Sequence, residues 1–188
     1  NPYLYDVAIR IALNAMVVIA LNLLMGYTGQ ISLGHAGFLG IGAYASGILT
    51  TQFGWPPLLA LAAGAAAAGA LAFAIARPIL KLKGHYLAMA TLGLGIIISI
   101  VITNETKYTG GPDGMGVARM QILDFTIRGS RMWYWTSAIV LLIGAWLALN
   151  LLDSPTGRAL RALHDSEVAA SVNGIDVARY KLAAFIVS

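Results

Sequence analysis

The sequence predicts an all-α, polytopic membrane protein, and three observations carry that prediction. Hydrophobic residues make up 59% of the 188-residue chain and charged residues 11%, against roughly a quarter charged in an ordinary soluble domain. The apolar residues fall in runs of about 20, the length that crosses a ~30 Å hydrocarbon core at ~1.5 Å per residue. The charges collect between those runs, where a net +4 and a pI near 9.5 fit loops facing the cytoplasm and anionic lipid. The basic residues form no aromatic-interleaved patch, so nucleic acid is not an expected partner. Without cysteine there is neither a disulfide framework nor a thiolate metal site.

Taken in order, residues 7–25 form the first expected span, with Arg10 close enough to its start to snorkel. Asn14 and Asn22 share roughly one helical face; hydrogen bonding to a neighbouring helix is the simpler reading, contact with a polar pathway the other. The second span, residues 31–51, reads ISLGHAGFLGIGAYASGILTT and is rich in glycine. Gly34, Gly37, Gly40, Gly42 and Gly47 each weaken a helix by about 1 kcal/mol relative to Ala. Ala36, Gly40, Ala43 and Gly47 make a small-residue stripe suited to another helix. Such a span can also break, exposing helix ends that line a pathway. Thr28, Gln30, Ser32 and His35 lie beside that break and are the candidate pathway residues. For His35 alone, a hydrogen-bonded structural role is simpler than a ligand role, and with His85 and His164 in other segments no metal site is expected.

Pro56-Pro57 turns the chain into a third, alanine-dominated span at residues 58–76. The loop 77–84 contains RPILKLK, three basic residues without an acid, which places it in the cytoplasm. Residues 85–103 are the fourth span, and the loop 104–132 is then external. There Lys107, Arg119, Arg128 and Arg131 stand against Glu105, Asp113 and Asp124. Its turn-rich YTGGPDGMG lacks the Lys-Ser/Thr of a phosphate-binding loop. Thr109, Gly110, Gly111 and Asp113 are candidates for an external lid or a docking contact, and an ordinary structured turn fits equally. Residues 133–152, opened by Trp133, Tyr134 and Trp135, form the fifth span, and a sixth begins at 182–188. Asn1 in place of Met, and an end inside an apolar segment, predict a longer polypeptide, with Asn1 external by alternation.

The loop 153–181 is cytoplasmic by the same count, and it is patterned. Ser154 can cap a helix with Pro155 at its first position. Leu160, Leu163 and Ala170 then fall on one side, Arg158, Arg161 and Asp165 toward another. Asn173-Gly174 stops a helix and Asp176 can cap the next. From spacing alone, a solvated amphipathic connector is the simpler reading.

Three stretches carry a family resemblance: NLLMGYTGQISLGHAGFLGIGAY, then GHYLAMATLGLG followed by TNETKYTGGPDGMG, and last TGRALRALHDSEVAASVNGIDVARYKLAAFIVS. In this order the chain resembles the permease subunits of branched-chain amino-acid ABC importers, the M-type of the paired H- and M-type subunits. The resemblance implies alternating access in a bacterial-type cytoplasmic (inner) membrane. It implies as partners a second permease subunit, two cytoplasmic ATP-binding subunits carrying ATP and Mg, and an external substrate-binding protein. It makes the last loop similar to the ATPase-docking "EAA" loop, with Glu167, Ala169, Ala170 and Gly174 at the matching positions, although Val168 separates the glutamate from the alanines. Arg158, Arg161, Asp165 and Glu167 would supply rim contacts that orient the partner. On this reading a coupling helix displaces the passive connector. No residue needs to perform covalent chemistry, and this chain binds no cofactor of its own. A secondary transporter and a structural subunit of another membrane complex are the rival readings; few ionisable groups inside the spans weigh against proton coupling.

Overall fold

The computed structural model describes residues 2–82, 84–117, 121–122, 125–126 and 129–188. Asn1, Lys83, Arg119, Asp124 and Arg128, invoked above for topology and charge balance, lie outside the described residues. Helices dominate: α1 (Pro2–Leu21), α2 (His35–Thr51), α3 (Pro57–Ile79), α4 (His85–Asn104), α5 (Thr106–Thr109), α6 (Ser130–Asp153), α7 (Pro155–Asp165), α8 (Glu167–Val172) and α9 (Val177–Val187). A two-residue antiparallel ladder, β1 (Gln121–Ile122) with β2 (Phe125–Thr126), is the one departure from the all-α architecture among the described residues. Among the described residues, four segments are long and apolar enough to cross a membrane: Tyr3–Gly26, Pro57–Ile79, His85–Asn104 and Ser130–Asp153. Their outward faces carry Leu13, Val18, Leu59, Ile97 and Leu142, all more than half exposed, as lipid-facing side chains should be.

Several boundaries differ from the sequence expectation, each for a local reason. α1 widens into a π turn at Asn22–Gly26, and after Tyr27 and Thr28 the chain runs without helix from Gly29 to Gly34. The interruption therefore precedes the second helix, which is continuous from His35 to Thr51. At 17 residues that helix is about 26 Å long, a little short of a ~30 Å core. α3 continues through Arg77 and Pro78 to Ile79, because the Pro ring disturbs only the last turn of a helix already complete. α9 starts at Val177, ahead of the expected 182, because the Asp176 carboxylate accepts the Arg179 N–H at 3.1 Å and caps it there.

The chain divides into two compact units. One comprises the described residues of Asn1–Ile31 and Arg128–Ser188. In it α1 packs along α6, with Tyr5 and Tyr134 rings 5.7 Å apart and Met16 seated where Gly144 has no side chain. The other comprises the described residues of Ser32–Ile127, with α2 packed against both α3 and α4. The glycines that permit this coincide only in part with the predicted stripe, whose Gly40 lies against Ile102 of α4 and whose Gly47 is buried against Met115. Gly37 lets α2 approach Gly95 and Ile98 of α4, and Gly64 of α3 lies against the backbone of Gly42 and Ser46, whereas Ala36 and Ala43 are exposed.

A methyl group on Gly64 would stand 2.6 Å from the Gly42 carbonyl oxygen and 3.2 Å from Ser46. Gly64→Ala is predicted to destabilise the fold by about 1–3 kcal/mol through overpacking. Gly69→Ala, on the same helix with nothing within 4 Å, should be neutral or gain up to about 1 kcal/mol from helix propensity. Thermal unfolding of the purified protein in detergent separates the two.

Candidate functional site

The residues from Asp153 onward fold into three short helices, each begun by a polar side chain. Ser154 Oγ accepts the Gly157 N–H at 3.3 Å, with Pro155 at the first helical position of α7. Ser166 Oγ accepts the Ala169 N–H at 3.2 Å and starts α8. Gly174, at φ +81°, turns the chain out of α8 in the left-handed conformation that favours glycine. The apolar side of α7 is buried, Leu160 to 1% and Leu163 to 2% exposure, together with Ala170 of α8 at 2%. Gly157 is pressed against the Leu152 backbone at the end of α6.

Of the residues carried over for docking, Arg158, Asp165, Ala169 and Gly174 are exposed, while Ala170 is buried. Arg161, though exposed, turns back on its own chain: Nη2 donates to the Leu152 carbonyl at 3.0 Å and the guanidinium lies 5.7 Å from the Tyr27 ring centre. A cation at the last carbonyls of α6 is favoured by the helix dipole as well as by the hydrogen bond. Glu167, the first residue of α8, pairs with Lys181 of α9. The most exposed apolar side chains of the segment are Val168 at 72% and Val172 at 82%, both on α8. α8 therefore presents an apolar tip, while its base is held by charge.

The candidate pathway residues fall in both units. Thr28 and Gln30 lie in the first unit, each 3% exposed; Ser32, 4% exposed, and half-buried His35 lie in the second. The Thr28 hydroxyl donates to the Leu24 carbonyl at 2.5 Å and accepts from Gln30 Nε2 at 3.0 Å. Gln30 Nε2 also reaches the Lys181 carbonyl at 3.5 Å, and Gln30 Oε1 is buried without a hydrogen bond among the described residues. Ser32 Oγ and His35 Nδ1 are hydrogen-bonded at 3.1 Å. A cavity of about 410 Å³ lies between α2 and α4 and is lined by other polar groups, Tyr44, Ser99 and Thr103, among glycines and aliphatics. Its signal was present in the sequence as the spacing of Leu92, Gly95, Ser99 and Thr103 on one helical face.

The candidate lid is tied inward. Thr109 is 5% exposed, the one proton of its hydroxyl shared between the Ile102 and Glu105 carbonyls at 2.6 and 2.7 Å and its oxygen accepting the Gly111 N–H at 3.1 Å. Gly111 is buried, so only Gly110, at φ +77°, and Asp113 face outward. Lys181 was missed by sequence reasoning. Once Asp176 is recognised as a cap, Lys181, Ala184 and Phe185 fall on one face of α9, and all three are buried.

Residues 3–188 match the family described as branched-chain amino acid transport system / permease component. The chain is 32% identical over 211 aligned residues to the high-affinity branched-chain amino acid transport system permease protein LivM of Escherichia coli K12, covering 97% of this chain and 49% of the relative. The LivM protein of Salmonella typhimurium gives the same figures, 32% with 97% and 49% covered. The probable branched-chain amino acid transport permease protein LivH of Methanocaldococcus jannaschii is 28% identical over 185 residues, covering 93% of this chain and 59% of the relative. The chain thus spans about half the length of the LivM relatives it matches. No solved structure matches it.

Because Leu160 anchors α7, Leu160→Ala is predicted to cost about 2–5 kcal/mol and to expose the segment. Arg158→Ala, on the exposed side, should change stability by no more than about 0.5 kcal/mol. Thermal unfolding, with limited trypsin digestion at Arg161, reads both effects.

Proposed function

This chain belongs to the family of permease components of branched-chain amino-acid transport systems, and we propose that it is a membrane-spanning subunit of an ATP-driven importer, carrying branched-chain or related amino acids by alternating access. It works in a bacterial-type cytoplasmic membrane with a second permease subunit, two ATP-binding subunits that hold ATP and Mg, and an external substrate-binding protein. The chain itself performs no covalent chemistry; hydrolysis belongs to the ATP-binding subunits.

The observation that carries the mechanism is α8, a helix capped at its start, stopped by Gly174, and offering Val168 and Val172 outward. An isolated six-residue helix would not hold its shape in water. Here it is held by the Ala170 contact and the Glu167 ion pair. A preformed apolar tip suits a groove on a soluble domain, with burial giving affinity and charged side chains exposed on α7, Arg158 and Asp165, giving orientation. Motion of the ATP-binding subunits would then be delivered to α9 across the Gly174 turn. Residues 77–84 lie on the same cytoplasmic side, and Gly110 and Asp113 meet the external side, where the binding protein delivers substrate. For Leu, Ile or Val the pathway needs an apolar wall with a few groups for the zwitterion, and the cavity between α2 and α4 has that composition.

Thiol labelling tests the arrangement directly, since the chain has no cysteine of its own. With a membrane-impermeant maleimide applied to right-side-out vesicles, Asp113→Cys should label and Val172→Cys should not, while Val172→Cys should cross-link to the ATP-binding subunit. The opposite labelling pattern would overturn the topology. In the assembled importer, Val172→Asp should lower ATP-driven uptake of leucine at least about tenfold, as expected for a charge placed at the centre of a desolvated contact.

A further inference from the structure

We propose that Lys181 is a positioning residue that clamps the base of α8 to α9 and to the break that follows the π turn, so that a displacement of α8 is delivered to residues 28–30. The proposal rests on the reading of residues 153–181 as the ATPase-facing segment.

Lys181 is 6% exposed although it lies near the start of its helix. Its Nζ donates to Glu167 Oε1 at 2.5 Å, across 14 residues of sequence. Glu167 is the first residue of α8, so the pair holds that helix at its base and leaves the valine tip free to be moved. The backbone of the same lysine serves the other direction, because its carbonyl accepts Gln30 Nε2 at 3.5 Å. The amide cannot profitably turn round. The Thr28 proton is committed to the Leu24 carbonyl, leaving its oxygen as an acceptor, and the Lys181 carbonyl is an acceptor only. Both neighbours therefore call for the NH₂ side of Gln30. α9 also packs against the π turn that ends the first span, so the hydrogen bond has a packing contact behind it.

One residue thus joins two elements by different groups, its ammonium holding α8 and its carbonyl holding the break after α1. Leucine or methionine at position 181 could fill the same volume but could not fix the orientation of α8, because an apolar contact is non-directional. The charge pair sets an angle as well as a distance. Loss of the pair should therefore separate ATP hydrolysis from transport, without removing α8 from its partner.

The test uses the complete importer, reconstituted with its ATP-binding subunits and binding protein in proteoliposomes. Leucine uptake per ATP hydrolysed is compared for the unaltered protein, Lys181→Met, Glu167→Gln and the double variant, each also carrying Val172→Cys as a cross-linking report on docking. Each single variant should keep the cross-link and lose about tenfold in uptake per ATP, within the usual range of coupling between sites. The double variant should be no worse than the singles, since all three break one link, and Lys181→Arg should recover most of the ratio. A merely structural lysine would lower yield, uptake and hydrolysis together and leave the ratio unmoved, which would overturn the clamp. If Lys181→Met fails to accumulate in the membrane, the double variant, which leaves no unpaired buried charge, decides the matter by the same ratio. A missing cross-link in the otherwise unaltered protein would overturn the docking reading, and the clamp with it. An intact cross-link with an unaltered ratio would overturn the clamp alone.

Discussion

Wherever a helix stops in an apolar surrounding, every backbone group it releases must find a partner inside the chain, because hydrocarbon supplies none. The stretch between Gly26 and His35 is built around that constraint. The Leu24 carbonyl accepts both the Thr28 hydroxyl and the Gln30 N–H, the latter at 3.2 Å. The Leu33 N–H is taken by the Thr91 hydroxyl at 3.0 Å, and Thr91 passes its own proton to the Ala88 carbonyl. Thr91 is completely buried, so one threonine in the middle of an apolar helix closes the account for a segment 58 residues away. Thr28 and Thr91 are explained first by this need, and any pathway role must be compatible with it.

The same constraint shapes how the helices approach. For Leu33 to reach Thr91, the backbone must come close to α4, and the meeting of Gly34 with Thr91 and Gly95 leaves no room for a Cβ there. Gly37 continues the approach along α2. Glycine in this span weakens its helix propensity, yet the loss is recovered as backbone contact and as a satisfied break. The unusual glycine content is thus a consequence of where the helix stops.

The architecture was legible because its signals are local and strong. Apolar runs of spanning length, Ser154 before Pro155, and Asp176 after Asn173-Gly174 each name an element without reference to anything distant. What could not be read depends on partners far apart in sequence. In the small-residue stripe Ala36, Gly40, Ala43 and Gly47, the two glycines are packed and the two alanines exposed, and the approach to Gly95 is made by Gly34 and Gly37, which helical spacing alone does not single out. Thr109 looked available as a polar residue in a glycine-rich turn, whereas three hydrogen bonds turn it inward. Glu167 was legible as a position and not as a contact, since its partner Lys181 was assigned to the end of a loop rather than to a buried helical face. The family match extends over residues 3–188; it carries no information on which side chains meet.

Lys181 shows why stability alone is a poor guide to such a segment. A buried ion pair must recover the desolvation of both charges, and a well-packed apolar pair of similar volume is often as stable or more so. Glu167 retains about a third of its side-chain exposure, 36%, so part of its hydration is kept and solvent weakens the attraction. The pair is therefore a modest contributor to folding, placed where folding has cheaper solutions. Its distinguishing property is direction: an ammonium on α9 and a carboxylate at the first position of α8 define how the two short helices are oriented. A connector needing only to stay folded could have used the apolar contacts of Leu160, Leu163 and Ala170 throughout. A connector that must transmit a displacement needs a rigid base and an exposed end, and α8 has that division, with Glu167 at the base and Val172 at the exposed end.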